Sequence, residues 1–393
     1  MKIKFLVGNT KVTNISSVPF GKKECKLLND ISLKLKLLKD INKYPDIKAA
    51  AFWCRRKNIE NLKKNLIDKN LRLGIGKLLH VTPSNVPTNF FYSLMIGLLT
   101  GNSNIVKVPT KNFEQVKLIC SVIKIAINEN PFFKNRISII QYDNNEIEIT
   151  ETLSKDCNGR LLWGSDRTIE DLKKIPSKTK SIDIIFPDRY SLALLNSQKI
   201  NQLSENGIIN LVKNFYNDTF FYDQNACTSP HLILWTGDTN TIKKAKKIFW
   251  LHLLKQVKSK FDLTNHITSE KLNHIYNLIA KHDNLGSLKN YENLIHVFDK
   301  TKLRYDNDNL RGKWGVFFEN NISDLDKLNK YINEKYQTLS YFGFEKKYFE
   351  NFIIKMKPLG IDRIVPVGRS MEMSFFWDGY DLKNTLTRTV EIK

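Results

Sequence analysis

Cysteine is scarce and unpatterned in this 393-residue chain: five residues, at 25, 54, 120, 157 and 227, with no CxxC pair and no close cluster with histidine. Such spacing signals neither a metal site nor a disulfide framework, and an odd count fits a reducing, cytoplasmic setting. Glycine (17) and proline (11) are too few for a long disordered region, the more so beside 23 Phe and 14 Tyr. Long apolar runs are missing too. Residues 81–106 carry no charge, but Pro83, Asn85, Pro87, Asn89, Asn102 and Asn104 interrupt them. The apolar part, Phe90–Leu99, falls short of the ~20 residues of a membrane span and reads as a buried helix. The opening, Met1–Asn9, has too short an apolar core for a signal peptide.

Acidic residues are also in deficit: 40 Asp and Glu against 62 Lys and Arg leave a net charge of +22. A surplus of this size suits an anionic partner, whether nucleic acid, lipid headgroups or an acidic small molecule such as a nucleotide or coenzyme A. The lysines are spread along the chain, so the surplus also fits a compositional bias. A nucleic-acid-binding protein would show steeply salt-dependent binding, but no recognisable nucleic-acid module is present, and no nucleic-acid partner is expected.

The length suits two domains. The first 75 residues read as Lys-rich and helical. From Lys77 the texture changes: strands are expected at Leu78–Val81, Ile105–Val108, Arg136–Tyr142, Arg160–Trp163 and Ser181–Phe186, with helices between them. One such helix carries Val116, Ile119, Cys120, Ile123 and Ile127 on a single face. Further strands are read at Ser191–Leu195, His231–Trp235, Trp314–Phe318 and Thr338–Phe344, with helices at Thr239–Lys260 and Ser323–Lys335. Residues 284–313 read as the least structured. The alternation argues for an α/β protein with largely parallel sheets.

Three segments can carry chemistry. The first runs from Pro83-Ser84-Asn85-Val86-Pro87 to Gly101-Asn102-Ser103-Asn104-Ile105-Val106-Lys107-Val108-Pro109-Thr110-Lys111. The second is Trp163-Gly164-Ser165, where a strand opens into a helix; Gly164 would let a backbone approach closely and the helix N-terminus would offer N–H groups to a pyrophosphate, or the turn is an ordinary one. The third is Gln224-Asn225-Ala226-Cys227-Thr228-Ser229, where small neighbours leave room for a carbonyl substrate beside a thiolate. Cysteine is also a common buried residue, so a structural Cys227 stands beside the nucleophilic one. Cys25, Cys54, Cys120 and Cys157 read as structural.

Taken in order, these segments resemble the aldehyde dehydrogenase superfamily, and more closely the LuxC-type acyl-CoA reductases, as does the tail Trp377-Asp378-Gly379-Tyr380-Asp381-Leu382. The resemblance runs from about Leu78 to the C-terminus. It implies an aldehyde dehydrogenase-like α/β fold: a Rossmann-type cofactor domain with a helical N-terminal region (1–190), a second α/β domain carrying Cys227 (191–360), and a tail (361–393) returning to the first domain or to an oligomer interface. It implies that Cys227 attacks an acyl thioester, that Asn85 donates to the oxyanion, that Ser84, Pro109, Gly164 and Ser165 lie at the cofactor, and that Lys107 lies at its adenosine ribose. It also implies acyl-CoA or an acyl-protein thioester as substrate, an acyl-protein synthetase as a partner, and a homo-oligomer.

Two departures sharpen this. Where many NAD-using relatives place a Glu for the ribose hydroxyls, this chain has Lys111, which tolerates a 2′-phosphate and points to NADPH; a solvated surface lysine is the plain alternative. The Glu that activates hydrolytic water in oxidative aldehyde dehydrogenases has no counterpart in Phe186–Leu192. Without that base a thioacyl enzyme survives for hydride transfer, so the expected activity is reduction of an acyl thioester to an aldehyde. The rival enzyme reading is the oxidative, CoA-acylating direction.

Overall fold

The computed structural model describes residues 3–64, 66 and 70–393. Its elements run β1 (Lys4–Val7), α1 (Lys22–Lys36), α2 (Pro45–Trp53), α3 (Arg56–Lys64), β2 (Leu71–Gly74), β3 (Lys77–Val81), α4 (Asn89–Leu99), β4 (Ser103–Lys107), α5 (Glu114–Glu129), β5 (Ile137–Gln141), α6 (Ile147–Asp156), β6 (Gly159–Trp163), α7 (Asp166–Lys174) and β7 (Ile182–Phe186). Next come β8 (Tyr190–Asn196), α8 (Ser197–Asn201), α9 (Glu205–Thr219), β9 (Pro230–Thr236), α10 (Thr239–Lys258), α11 (Asn265–Lys281), β10 (Leu285–Tyr291), β11 (Ile295–Lys300), β12 (Val316–Asn321), β13 (Tyr336–Phe342), α12 (Lys346–Met356) and β14 (Arg363–Pro366). The chain ends with β15 (Phe376–Trp377), β16 (Tyr380–Asp381), α13 (Leu382–Thr385) and β17 (Thr387–Val390). Two compact units result: residues to Asp188 together with Met373–Lys393, and Arg189–Glu372.

The first unit is built on a six-stranded sheet in the order β1-β5-β4-β3-β6-β7. All pairings are parallel except that of β1 with β5. Successive strand residues point to opposite faces, and here both faces are apolar. Leu78, Val106, Leu161 and Ile184 pack with α1, α4 and α5, whereas Leu79, Ile105, Leu162 and Ile140 pack with Ile149 of α6 and Ile169 of α7. The uncharged run Phe90–Leu99 lies buried in α4. At the end of the chain β17 pairs antiparallel with β2.

The second unit holds a seven-stranded sheet, β10-β11-β12-β9-β8-β13-β14, antiparallel only between β10 and β11. Leu192, Leu232, Phe318 and Leu339 face α11 and α12, while Ala193, Ile233 and Phe317 face α9 and α10. Asp238 caps α10 by accepting from the amides of Asn240 and Thr241.

Three expectations need correction. The N-terminal stretch is not wholly helical, since β1 and β2 lie in it. Residues 284–313 contain the hairpin β10–β11. The helix read at Ser323–Lys335 is a 3₁₀ segment, Leu325–Tyr331, in which Leu325 and Leu328 are buried. Spacing of three suits a helix with three residues per turn.

A buried ion pair fastens α1 to the first sheet. Arg136, just before β5, reaches Glu24 at 2.9 Å, and both side chains are almost wholly buried. Arg136 also donates to Ser17 Oγ and to the Gly101 carbonyl. Removing one partner of a buried pair strands the other charge, so Glu24→Ala should lower the unfolding free energy by about 3–5 kcal/mol. Glu24→Leu with Arg136→Met should recover most of that loss. Urea titrations of the three proteins check both outcomes.

Candidate active site

In the first unit β3 lies between β4 and β6, so the chain leaves β3 toward β4 and β5 and later returns to its other side with β6 and β7. The crevice beyond the carboxyl ends of β3 and β6 is therefore a topological switch point, where open α/β sheets bind ligands. Ser84 and Asn85 are exposed in the loop leaving β3, and Gly164 and Ser165 form the turn leaving β6. Residues read from separate motifs thus share one sheet edge. A Cβ at Gly164 would come within 2.9 Å of Thr168 Cγ2. The Ser165 hydroxyl accepts from the Thr168 amide and caps α7. The first turn of α7 also carries Asp166, whose carboxylate accepts from the Asp188 amide at 3.1 Å.

One strand over, Lys107 ends β4 opposite Val81. It is buried, hydrogen-bonds Asn144 Oδ1 and lies 4.9 Å from the Tyr142 ring centroid. Burial pulls its pKa down to about 8, against the favourable field of Asp143. Pro109 is half-buried, and its carbonyl accepts from Gln141 Nε2. Lys111 is exposed, with its ammonium 5.1 Å from the Phe113 ring centroid.

Other motif residues have structural work. Gly101 has φ +82°, and a Cβ there would meet the Ser17 carbonyl oxygen at 2.2 Å. Asn102 accepts from the Gly76 amide and donates to the Leu386 carbonyl. Asn104 Oδ1 accepts from His80, whose other ring nitrogen meets Ser93 Oγ at 2.7 Å; Trp163 Nε1 also donates to Ser93. Burial holds His80 near pKa 4, so it is neutral. This polar chain joins β3, β4, β6 and α4 beneath the switch point; Asn104 and Trp163 come from motif segments, His80 and Ser93 do not. The tail forms a hairpin whose turn, Asp378-Gly379, has positive φ at both residues, the pattern of a type I′ turn. Its flanks dock on aromatic rings: Trp377 on Tyr92, and Tyr380 on Phe186, which stacks on Trp163 at 3.7 Å.

Cys227 lies in the second unit, in the loop entering β9. Cys54, Cys120 and Cys157 are buried, which pushes each thiol up to about 12. Cys227 keeps partial exposure. Its loop is held from several sides. Asp223 and Gln224 both take positive φ, a costly conformation for these residues. Gln224 offsets that cost by accepting from the Gly315 amide at 2.8 Å and donating to the Val316 carbonyl at 3.1 Å. The Ser191 hydroxyl of β8 donates to the Cys227 carbonyl at 2.6 Å and accepts from the Thr338 amide of β13. Gln337, also of β13, donates from Nε2 to Cys227 Sγ at 3.5 Å.

The arrangement, a thiol at the amino edge of one α/β unit and a switch-point crevice in another, has clear relatives. Residues 12–263 match the sequence profile of the family described as acyl-CoA reductase (LuxC). This chain belongs to that family. Among similar proteins, the long-chain acyl-protein thioester reductase of Vibrio harveyi is 26% identical over 305 residues, covering 75% of this chain and 58% of that protein. A second, from Aliivibrio fischeri, is 25% identical over 166 residues, 42% of this chain and 32% of its own. The LuxC-family chain thus spans well under two thirds of the length of these relatives. Its fold is that of the aldehyde dehydrogenases. KauB of Pseudomonas aeruginosa superposes with a TM-score of 0.65 at 14% identity, over 93% of this chain and 82% of that one. Lactaldehyde dehydrogenase of Escherichia coli gives 0.63 at 11% identity, over 94% and 85%.

In this LuxC-family chain a buried carboxylate braces the surroundings of Cys227. Asp218, near the end of α9, accepts from the Gly368 amide at 2.6 Å and the Ser370 amide at 3.1 Å. That loop carries Met371, whose sulfur accepts from Thr228 Oγ1. Gln337 and Asp218 carried no sequence signal: each is one polar residue among others in its element. Burial raises Asp218 to about 6, well above its unfolded value, with the two amides opposing. The folded state therefore holds a proton that the unfolded state releases. The resulting stabilisation is full at low pH and is lost as pH rises through about 6, on the order of 3 kcal/mol. Asp218→Asn should flatten that part of the stability profile, read from urea midpoints between pH 4.5 and 7.5.

Proposed function

We propose that this chain reduces a long-chain acyl thioester, carried by a protein or by coenzyme A, to the aldehyde with NADPH, through a thioacyl enzyme on Cys227. The observation that carries this reading is the membership in the acyl-CoA reductase (LuxC) family together with a partly exposed thiol clamped at the entry to β9. The names of the relatives supply the acyl-protein donor. An acyl-protein synthetase as partner, assembly into a homo-oligomer and a cytoplasmic setting belong to the same proposal. Among the described residues, no helix is long and apolar enough to cross a membrane.

In the first half-reaction the Cys227 thiolate adds to the acyl carbonyl and a new C–S bond forms. The bond to the donor sulfur breaks, and the donor leaves as a thiolate that takes up a proton. Asn85 donates its side-chain amide to the oxyanion, an interaction of about 2.7–4 kcal/mol in comparable sites. The set at the switch point fits a dinucleotide: the Gly164 turn, which a Cβ would crowd, the N–H groups opening α7, and Lys107 and Lys111 beyond β4. Gly164, Ser165 and Ser84 would hold the phosphates, Lys107 and Pro109 would lie along the adenosine ribose, and Lys111 would meet the 2′-phosphate. When bound, the nicotinamide supplies a hydride. Cys227 then departs as thiolate from the reduced carbon, leaving the aldehyde. No glutamate stands in Phe186–Leu192 to activate water, so the acyl group stays on sulfur until it is reduced.

The test is a denaturing mass spectrum after incubation with acyl-CoAs of increasing chain length, or an acylated carrier protein, without NADPH. The expected result is an acyl-sized mass gain that Cys227→Ala abolishes. An adduct persisting in Cys227→Ala would overturn the assignment of the nucleophile. For the cofactor, Lys111→Glu should raise KM for NADPH at least tenfold while leaving that for NADH within twofold. Equal effects on both would sink the 2′-phosphate contact.

A further inference from the structure

We propose that Gln337 is a further catalytic residue, an uncharged donor that holds the sulfur of Cys227 as thiolate. The proposal rests on Cys227 being the nucleophile, and it starts from strand order. Strands β9, β8 and β13 lie side by side and parallel, so their amino ends share one edge of the second sheet. Cys227 enters β9, Ser191 opens β8, and Gln337 opens β13. Ser191 ties the other two together, since its hydroxyl donates to the Cys227 carbonyl and accepts from the amide of Thr338, next to Gln337. The backbone of the nucleophile is thereby registered against the strand that carries the amide.

The orientation of that amide is set as well. Gln337 Oε1 accepts from Thr338 Oγ1 at 3.4 Å, which leaves Nε2 facing Cys227 Sγ at 3.5 Å. Gln337 is 2% exposed, so bulk water does little to satisfy this N–H. A neutral thiol is a weak acceptor, whereas a thiolate accepts strongly. A desolvated donor aimed at sulfur therefore favours the ionised form and lowers the proton affinity of the thiol. A primary amide also cannot take up the thiol proton, which separates its role from that of a general base. Its donor state does not change across the working pH range.

The experiment follows the rate of Cys227 alkylation by iodoacetamide against pH, read by peptide mass spectrometry, in full-length wild type, Gln337→Leu and Gln337→Glu. The expected result is a titration midpoint raised by about one pH unit in Gln337→Leu, equivalent to roughly tenfold slower alkylation at neutral pH. The near-isosteric Gln337→Glu should shift it further, because its carboxylate opposes the thiolate, and it carries the test if the leucine variant fails to fold. Asp223, on the same loop as Cys227, is common to all three proteins. Alkylation profiles that superpose on wild type would overturn the role of Gln337 while leaving Cys227 untouched. If Cys227→Ala retains reductase activity, the nucleophile itself is wrong and this role falls with it.

Discussion

Burial of both faces of each central sheet confines the polar chemistry of this protein to the strand ends. Strand residues alternate between two helix layers, and in both units apolar strand residues form core clusters on each face of the sheet. Backbone groups inside the sheets are spent on their ladders, so only the loops at strand ends keep donors, thiols and lysines within reach of a ligand. In the first unit the switch in strand order opens a crevice at the carboxyl ends of β3 and β6. In the second, Cys227 uses the opposite kind of edge, the amino ends of β9, β8 and β13. The rule that locates ligands in open sheets points to the former and is silent on the latter.

What stiffens these edges is a set of buried polar contacts with complete partners. His80 is held neutral between Ser93 and Asn104, so strands β3 and β4 and helix α4 meet without a buried charge. Gln224 holds two residues of positive φ in place by pairing with the backbone at Gly315 and Val316. Ser191 and Asp218 use single side chains to bind separate segments around Cys227. A loop so constrained holds the partly exposed Cys227 thiol in a fixed position, which the nucleophilic role proposed for it requires.

Much of the architecture was legible. Leu78–Val81, Arg160–Trp163 and Phe90–Leu99 stand out because burial on both sides leaves predominantly apolar runs between turn-forming segments. The misreadings have physical causes. The turn between β10 and β11 uses Glu292 and Asn293, both at positive φ, in place of the Asn-Gly that normally marks such hairpins. Strands β1 and β2 have four residues each, too few to show alternation among lysines. The segment at Leu325 repeats every three residues, which a short window does not separate from an α-helical pattern.

The sequence by itself determined the alternation of strands and helices, the family, and the residues whose chemistry is local: Cys227 among small neighbours and Gly164-Ser165 at a strand-to-helix turn. These depend on what lies within a few positions along the chain. Only the tertiary structure decided that Gly101, Asn102 and Asn104 serve backbone packing, that Lys107 is buried against Asn144, that Ser191 and Gln337 bond Cys227, and that Asp218 holds the loop of Met371 beside it. Those partners are separated from it, or from one another, by anything from a few to more than a hundred residues. Strand order, which no local pattern encodes, is what brings them to one edge.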